Sequence, residues 1–261
     1  GGGAGFGQDV TPGQFGLELA GGHHPNDLAR YRELIGMVGS GLPTNLLFST
    51  NVLRILNVRY LIWPVQLGRP EDQSLPPETT DNLQPVSQTT LRGEPHETVY
   101  SFTDLPRARL VGEAVVLPDD QAVAFILSED FDPAKQVVLA EPAPEALEGP
   151  VEGEVEWIER GLNRHELRVL ADRPGLLVIA DNWFPAWRAR VDGQDAPVLR
   201  ANHTLRAIPV PAGESRVEVY YESARVRAGM WITLVSLLVA LAVAVASRVG
   251  ARRPGPVQEA A

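Results

Sequence analysis

The densest run of chemistry-bearing side chains is Asp181–Gly193, DNWFPAWRARVDG. The indole rings of Trp183 and Trp187 can stack on the apolar faces of sugars, while Asp181, Arg188 and Asp192 can bind hydroxyls. These five residues form a candidate glycan-binding platform. The competing role is structural: Trp187 alternates with Ala189 and Val191 and should face a core, and Pro185 and Gly193 are turn residues. A second run, Gly22–Asp27, GHHPND, sets His23, His24 and Asp27 just ahead of a helical pattern that carries Arg30. Two imidazoles and a carboxylate suit a metal or acid–base site. Adjacent histidines on an irregular segment diverge, however, and no HExxH spacing accompanies them. No metal is therefore assigned, and His23, His24, Asp27 and Arg30 are read as a polar site facing a membrane portion or a sugar.

Other chemistries lack their signatures. There is no GxSxG, no phosphate-binding loop and no GxGxxG between a strand and a helix. Asp119–Asp120 and Asp130–Phe131–Asp132 lack the spaced oxygens of a calcium loop, and helix-capping and turn roles account for them. Asn202-His203-Thr204 is a glycosylation sequon without meaning in a bacterial chain. No catalytic residue and no cofactor is assigned. A net charge of -10 with acids spread along the 261 residues excludes a nucleic-acid binder, which needs clustered Lys and Arg. Zero cysteines exclude disulfides and thiolate metal sites. Lys135 is the one lysine among 23 basic residues, an arginine-rich usage expected of a bacterium with a GC-rich genome.

The elements that must position these residues are mostly strands. Seven segments at short spacing read as an antiparallel sandwich: Glu154–Glu159, His165–Ala171, Leu176–Asp181, Trp187–Asp192, Ala196–Ala201, Thr204–Val210 and Arg216–Glu222. Val217, Val219 and Tyr221 alternate with Arg216, Glu218 and Tyr220, Asp192-Gly193 is a hairpin turn, and the unbroken apolar run Leu176–Ala180 should be a central strand covered on both faces. Upstream, a short strand is expected at Phe15–Leu19 and an amphipathic helix from Asn26. A second helix capped by Thr50 or Asn51 should run through Leu56, with a strand over Val58–Trp63. Gly68–Glu97 reads as a proline-punctuated surface excursion with one strand at Val86–Leu91. Strands at Thr98–Phe102, Arg107–Leu117 and Val137–Leu139 and a helix from Asp119 to Leu127 complete the pattern. Glu141–Gly153, EPAPEALEGPVEG, is the expected linker between a mixed α/β part, 1–140, and a sandwich part, 154–224. The fold class is α+β and mainly β: an antiparallel β-sandwich with a few short helices and one C-terminal transmembrane helix.

That helix is Ala228–Ser247, twenty residues without a charge or histidine, long enough to cross a hydrocarbon core of about 30 Å. Arg248, Arg252 and Arg253 follow it against the single acid Glu259, which places the tail, 248–261, on the cytoplasmic side and the β-rich part outside, although Arg225 and Arg227 flank the near end. An exported domain needs an upstream signal. Residues 1–5 are GGGAG, the methionines are Met37 and Met230, and no signal peptide is visible. The expectation is a C-terminal fragment of a longer protein with at least one more membrane segment.

NVRYLI (57–62), LPRA (105–108), DNWFPAWRARVDG, LRANHTLRAIPVPAG (199–213) and VEVYYES (217–223), in this order before an apolar helix, resemble the C-terminal part of the YfhO-like family of bacterial multi-pass membrane proteins. GGHHPNDLARYREL keeps its place in that order, so the resemblance covers the chain from about Gly21 onward. Such proteins look like GT-C-type glycosyltransferases, with many membrane helices and a lipid-linked sugar donor for a cell-envelope glycan. The resemblance implies a place in the bacterial cytoplasmic membrane. It also implies the protein's own N-terminal membrane helices as partners, and a lipid-linked sugar or envelope glycan as ligand. The catalytic carboxylate of GT-C proteins lies on an early outer loop, so no catalytic residue carries over. The alternative is a membrane-anchored carbohydrate-binding or structural module.

Overall fold

The computed structural model describes residues 18–20, 28–39, 41–70, 77–102, 105–147 and 149–251. The chain divides into two units, Gly1–Tyr220 and Tyr221–Ala261. The first opens with three short helices, α1 (Ala29–Ile35), α2 (Thr44–Phe48) and α3 (Thr50–Ile55), followed by β1 (Tyr60–Pro64), α4 (Pro77–Thr80), β2 (Gln84–Leu91) and β3 (Glu94–Ser101). Ser49, rather than Thr50 or Asn51, caps α3 by accepting from the Val52 amide. Asn51 instead donates to the carbonyls of Ile126, Ser128 and Phe131. Of the strand expected at Phe15–Leu19, only residues 18 and 19 are described, and they are not strand. The helix expected from Asn26 begins, within the described residues, at Ala29.

The surface excursion carries more order than its composition suggests. β1, β3 and β2 form a three-stranded antiparallel sheet, with every residue of β2 exposed. It is tied to the helices through Leu53, Leu83 and Phe102.

β4 (Ala108–Val111), β5 (Glu113–Val116), α5 (Asp119–Ile126) and β6 (Gln136–Leu139) follow. The single strand expected over Arg107–Leu117 breaks at Gly112, where a Cβ would lie 2.0 Å from the Gly149 carbonyl oxygen. β4 pairs antiparallel with a later strand, whereas β5 turns away to pair in parallel with β6 across α5. β7 (Gly153–Arg160), β8 (Arg164–Ala171), β9 (Gly175–Asn182), β10 (Trp187–Val191), β11 (Gln194–Ala196), β12 (Leu199–Ala201), β13 (Leu205–Val210) and β14 (Gly213–Tyr221) complete the unit. The expected Ala196–Ala201 strand is thus two short ones.

The sandwich faces a five-stranded sheet, β11-β10-β14-β8-β7, with a six-stranded one, β4-β9-β13-β12-β6-β5. Leu167, Val169, Val217 and Val219 from the first meet Leu177, Ile179, Ile208 and Val210 from the second. β9 is the central strand expected: Leu177 and Ile179 face this core, and Leu176 and Val178 face a second layer with Val137, Leu139 and Ala207. Asp192 and Gly193 both have positive φ, 51° and 79°, as the hairpin requires.

Glu141–Gly153 is not a domain boundary. The six-stranded sheet takes β4, β5 and β6 from before it and β9, β12 and β13 from after it, and Ala143 and Leu147 pack against the second core layer. Its glycines serve local geometry instead: Gly149 has positive φ, 107°, and Gly153 lies in close backbone contact. A Cβ on Gly153 would lie 1.9 Å from the Leu170 carbonyl oxygen.

In the second unit, α6 (Ala224–Ala251) begins after Ser223, whose hydroxyl accepts from the Val226 amide. One helix among the described residues is long and apolar enough to cross a membrane, Ala224–Arg248, with mean hydropathy 2.4 and none of its apolar window buried. At 1.5 Å per residue it is about 37 Å long. Its hydroxyls are satisfied internally: Thr233, Ser236 and Ser247 donate to the Gly229, Ile232 and Ala244 carbonyls.

Gly153→Ala should destabilise the β-rich unit by about 1–3 kcal/mol through the forced β7–β8 separation, read as a lower denaturant midpoint. Gly193→Ala, whose Cβ meets nothing within 4 Å, should show only the cost of its positive φ.

Candidate functional site

Alternation carries polar and aromatic side chains inward at one end of the sandwich. His165 continues the inward row of Leu167 and Val169 on β8, Arg206 that of Ile208 and Val210 on β13, and Trp187 that of Ala189 on β10. Asp181 lies beyond Leu177 and Ile179 on β9, at an irregularity. Register along β13 steps from Leu205↔Asn182 to Arg206↔Ile179, which leaves Ala180 and Asp181 without a β13 partner. The Ala180 amide donates to the Arg107 carbonyl instead. The two unpaired residues preserve the alternation, so Asp181 keeps the inward phase of Leu177 and Ile179.

The Asp181 carboxylate is buried and collects three cationic or cation-capable groups. Arg107 Nη2 donates to Oδ1. His165 Nε2 and Arg206 Nη2 lie 3.2 Å and 3.3 Å from Oδ2. Neither approach to Oδ2 has regular hydrogen-bond geometry. Around this ion cluster runs an aromatic column. The Arg206 guanidinium lies 3.7 Å from the centre of the Trp187 ring, Trp187 stacks on His165 at 5.8 Å and 12°, and His165 meets Trp157 edge-on at 5.6 Å. Arg160 covers the outer face of Trp157 at 5.7 Å.

Burial alone would raise the Asp181 pKa, but His165, Arg206 and Arg107 outweigh it and hold the carboxyl at about 2. Burial pulls Arg206 down to about 10, against the pull of Asp181 and with the repulsion of Arg107. The carboxylate gains from the cluster while the guanidinium loses, so the pair adds little net stability as a unit, and removing one member leaves the other buried and uncompensated.

A second polar cluster sits at the β12–β13 corner. Asn202 and His203 both have positive φ, 43° and 69°. Asn202 is buried and treats β6 as a strand partner: its amide donates to the Val138 carbonyl and its Oδ1 accepts from the Val138 amide. The sequon therefore has a structural use. His203 Nε2 lies 2.7 Å from Glu33 on α1, and Asp119, in the first turn of α5, accepts from both Arg200 and Arg30. Hydrogen bonding from Arg200, reinforced by Arg30, holds the Asp119 carboxyl below its usual range. These pairs clamp α1 and α5 to the corner of the six-stranded sheet.

The residues nominated from sequence do not converge on one open surface. Asp181 and Trp187 belong to the inward cluster. Trp183 is half-buried and donates its indole N–H to the Val198 carbonyl. Arg188 is exposed and donates to the Pro185 and Trp187 carbonyls of its own loop, and Asp192 accepts from the Arg216 amide at the hairpin turn. Arg30 joins the corner clamp. His23, His24 and Asp27 lie outside the described residues. His165, Arg107 and Arg206 were missed, although the phase of each strand carried a signal: a charged or ring side chain in register with an apolar inward row. Comparison with family models, with curated proteins and with solved structures finds no match to this chain.

A carboxyl depressed in the folded state supports folding above its unfolded pKa of about 4 and loses that support as pH falls toward 2. Acid titration of stability should therefore lose on the order of 2 kcal/mol across that window through Asp181. Asp181→Asn should remove this component and cost about 3–5 kcal/mol at neutral pH, whereas Arg188→Ala should stay within about 0.5 kcal/mol of wild type.

Proposed function

We propose that this chain is the extracytoplasmic, β-rich C-terminal region and final membrane helix of a polytopic bacterial membrane protein of glycosyltransferase-like type. Such a protein would use a lipid-linked sugar for cell-envelope glycosylation, with catalysis in membrane segments outside this chain. The observation that carries the reading is the helix Ala224–Arg248, apolar and uncovered, directly following a β-rich unit. The ordered motifs from NVRYLI to VEVYYES ahead of that helix support it, since their order is the basis of the resemblance to YfhO-like proteins. Arg248, Arg252 and Arg253 support an outside-to-inside direction for the helix. The partners are then the membrane, the remaining helices of the same protein, and a lipid-linked sugar or envelope glycan.

The second reading, a membrane-anchored carbohydrate-binding or structural module, is favoured by the exposure of Phe184 and Arg188. They are the exposed aromatic ring and one of the exposed guanidiniums of Asp181–Gly193.

The chain has no cysteine, so one introduced thiol is its only reactive one. In intact cells a membrane-impermeant maleimide should label Leu162→Cys, on the exposed β7–β8 turn, and label Glu259→Cys only after permeabilisation. Protection of both sites in intact cells, or the reverse pattern, would contradict the proposed topology. A gene-deletion strain that loses one sugar from its envelope glycan supports the transferase, and an unchanged glycan supports the module.

A further inference from the structure

At the outer end of the aromatic column the chain binds a carboxylate of its own. Arg107 Nη1 and Arg160 Nη2 both donate to the same oxygen of Glu18, Oε2. The two guanidiniums come from distant parts of the chain, Arg107 just before β4 and Arg160 at the end of β7. Each is braced from behind. Arg107 is held by Asp181 through its other terminal nitrogen, and Arg160 by the Trp157 ring. A guanidinium fixed on one side and presenting N–H groups on the other is arranged to hold an oxyanion.

The charge count points the same way. Arg107, Arg160 and Arg206 face two carboxylates, Asp181 and Glu18, so the cluster stays cationic with Glu18 in place, within a chain of net charge -10. Arg107 Nε has no hydrogen-bond partner among the described residues, and the Glu18 carboxylate, which accepts from Arg107 Nη1, does not use it. Glu18 is itself mostly exposed, at 64%, so its ion pairs lie in screened surroundings and exchange readily with a competing anion. A phosphate group offers three acceptor oxygens and more charge than a carboxylate at the same place.

We infer that Arg107 and Arg160 form an oxyanion subsite for a phosphate ester or diphosphate, occupied in the free protein by the Glu18 carboxylate, which the ligand displaces. The subsite stands on this geometry alone, independently of the glycosyltransferase-like reading and of membrane topology. Arg107 and Arg160 contact the ligand, Glu18 competes with it, and Trp157 and Asp181 position the two guanidiniums.

The test uses the full chain in detergent, titrated by calorimetry with inorganic pyrophosphate and, in parallel, with geranyl diphosphate. Arg160→Gln, at a half-exposed position, should weaken pyrophosphate binding by about tenfold or more, the loss of one charge-assisted hydrogen-bonding partner. Glu18→Gln should tighten it by about tenfold if the carboxylate fills the subsite nine-tenths of the time. Arg168→Gln, a guanidinium on neighbouring β8 paired with Glu156, should leave it unchanged. Equal affinities for the two ligands assign recognition to the phosphates alone, and a much higher affinity for geranyl diphosphate assigns it to a lipid-carried headgroup. Unchanged pyrophosphate affinity in either Arg160→Gln or Glu18→Gln, with melting temperatures matching wild type, overturns the proposal, as does absence of binding in Glu18→Gln.

Discussion

The sandwich depends on how one buried carboxylate is satisfied. Asp181 sits where the apolar interior of the two sheets ends, and a lone ionised carboxyl there would cost several kcal/mol. Three groups from three separate strands or strand ends answer it: Arg107 before β4, Arg206 on β13 and His165 on β8. His165 belongs to the five-stranded sheet, Asp181 and Arg206 to the six-stranded one, and Arg107 directly precedes β4 of the latter, so the cluster links the two sheets where the aliphatic core gives way to aromatic and charged side chains. Apolar packing sets how close the sheets lie, and the ion cluster sets their alignment at this end.

The same economy recurs at the β12–β13 corner. Asn202 and His203 hold a backbone conformation that costs of order 1–3 kcal/mol per strained residue, and the surroundings over-determine it. Asn202 replaces a strand partner for Val138, while His203 and Arg200 reach Glu33 and Asp119 on the helices. Polar side chains thus do at both places what an apolar core cannot: they specify direction. The cationic surplus beside Asp181 is a by-product of this arrangement, and the exposed Glu18 offsets part of it.

Much of the β-rich unit was legible because period-two alternation is a local signal. Trp187, Ala189 and Val191 face inward as their spacing implies, and Leu176–Ile179 is buried on both faces as an unbroken apolar run should be. The apolar helix was legible from length and charge alone. What stayed hidden is non-local. Nothing near Asp181 announces Arg107, 74 residues earlier in the chain, and nothing near His203 announces Glu33, 170 residues away. Glu141–Gly153 reads as a linker because proline and glycine mark both flexible joints and close backbone contacts, and only the sheet order separates the two. The aromatic richness of Asp181–Gly193 was visible, but Trp187 spends its faces on His165 and Arg206, leaving Phe184 as the exposed ring of the run.

The β-rich unit and the apolar helix therefore rest on different physics, ion-guided sheet packing in one and hydrocarbon-compatible length in the other. The claim that joins the two sheets is that His165 and Asp181 are energetically coupled across the sandwich. A double-mutant cycle with His165→Phe, which keeps a ring against Trp187, and Asp181→Asn, measured by denaturant unfolding of the full chain in detergent, addresses it directly. An interaction energy of about 0.5–3 kcal/mol is the expected result, and additivity within about 0.3–0.5 kcal/mol would contradict it.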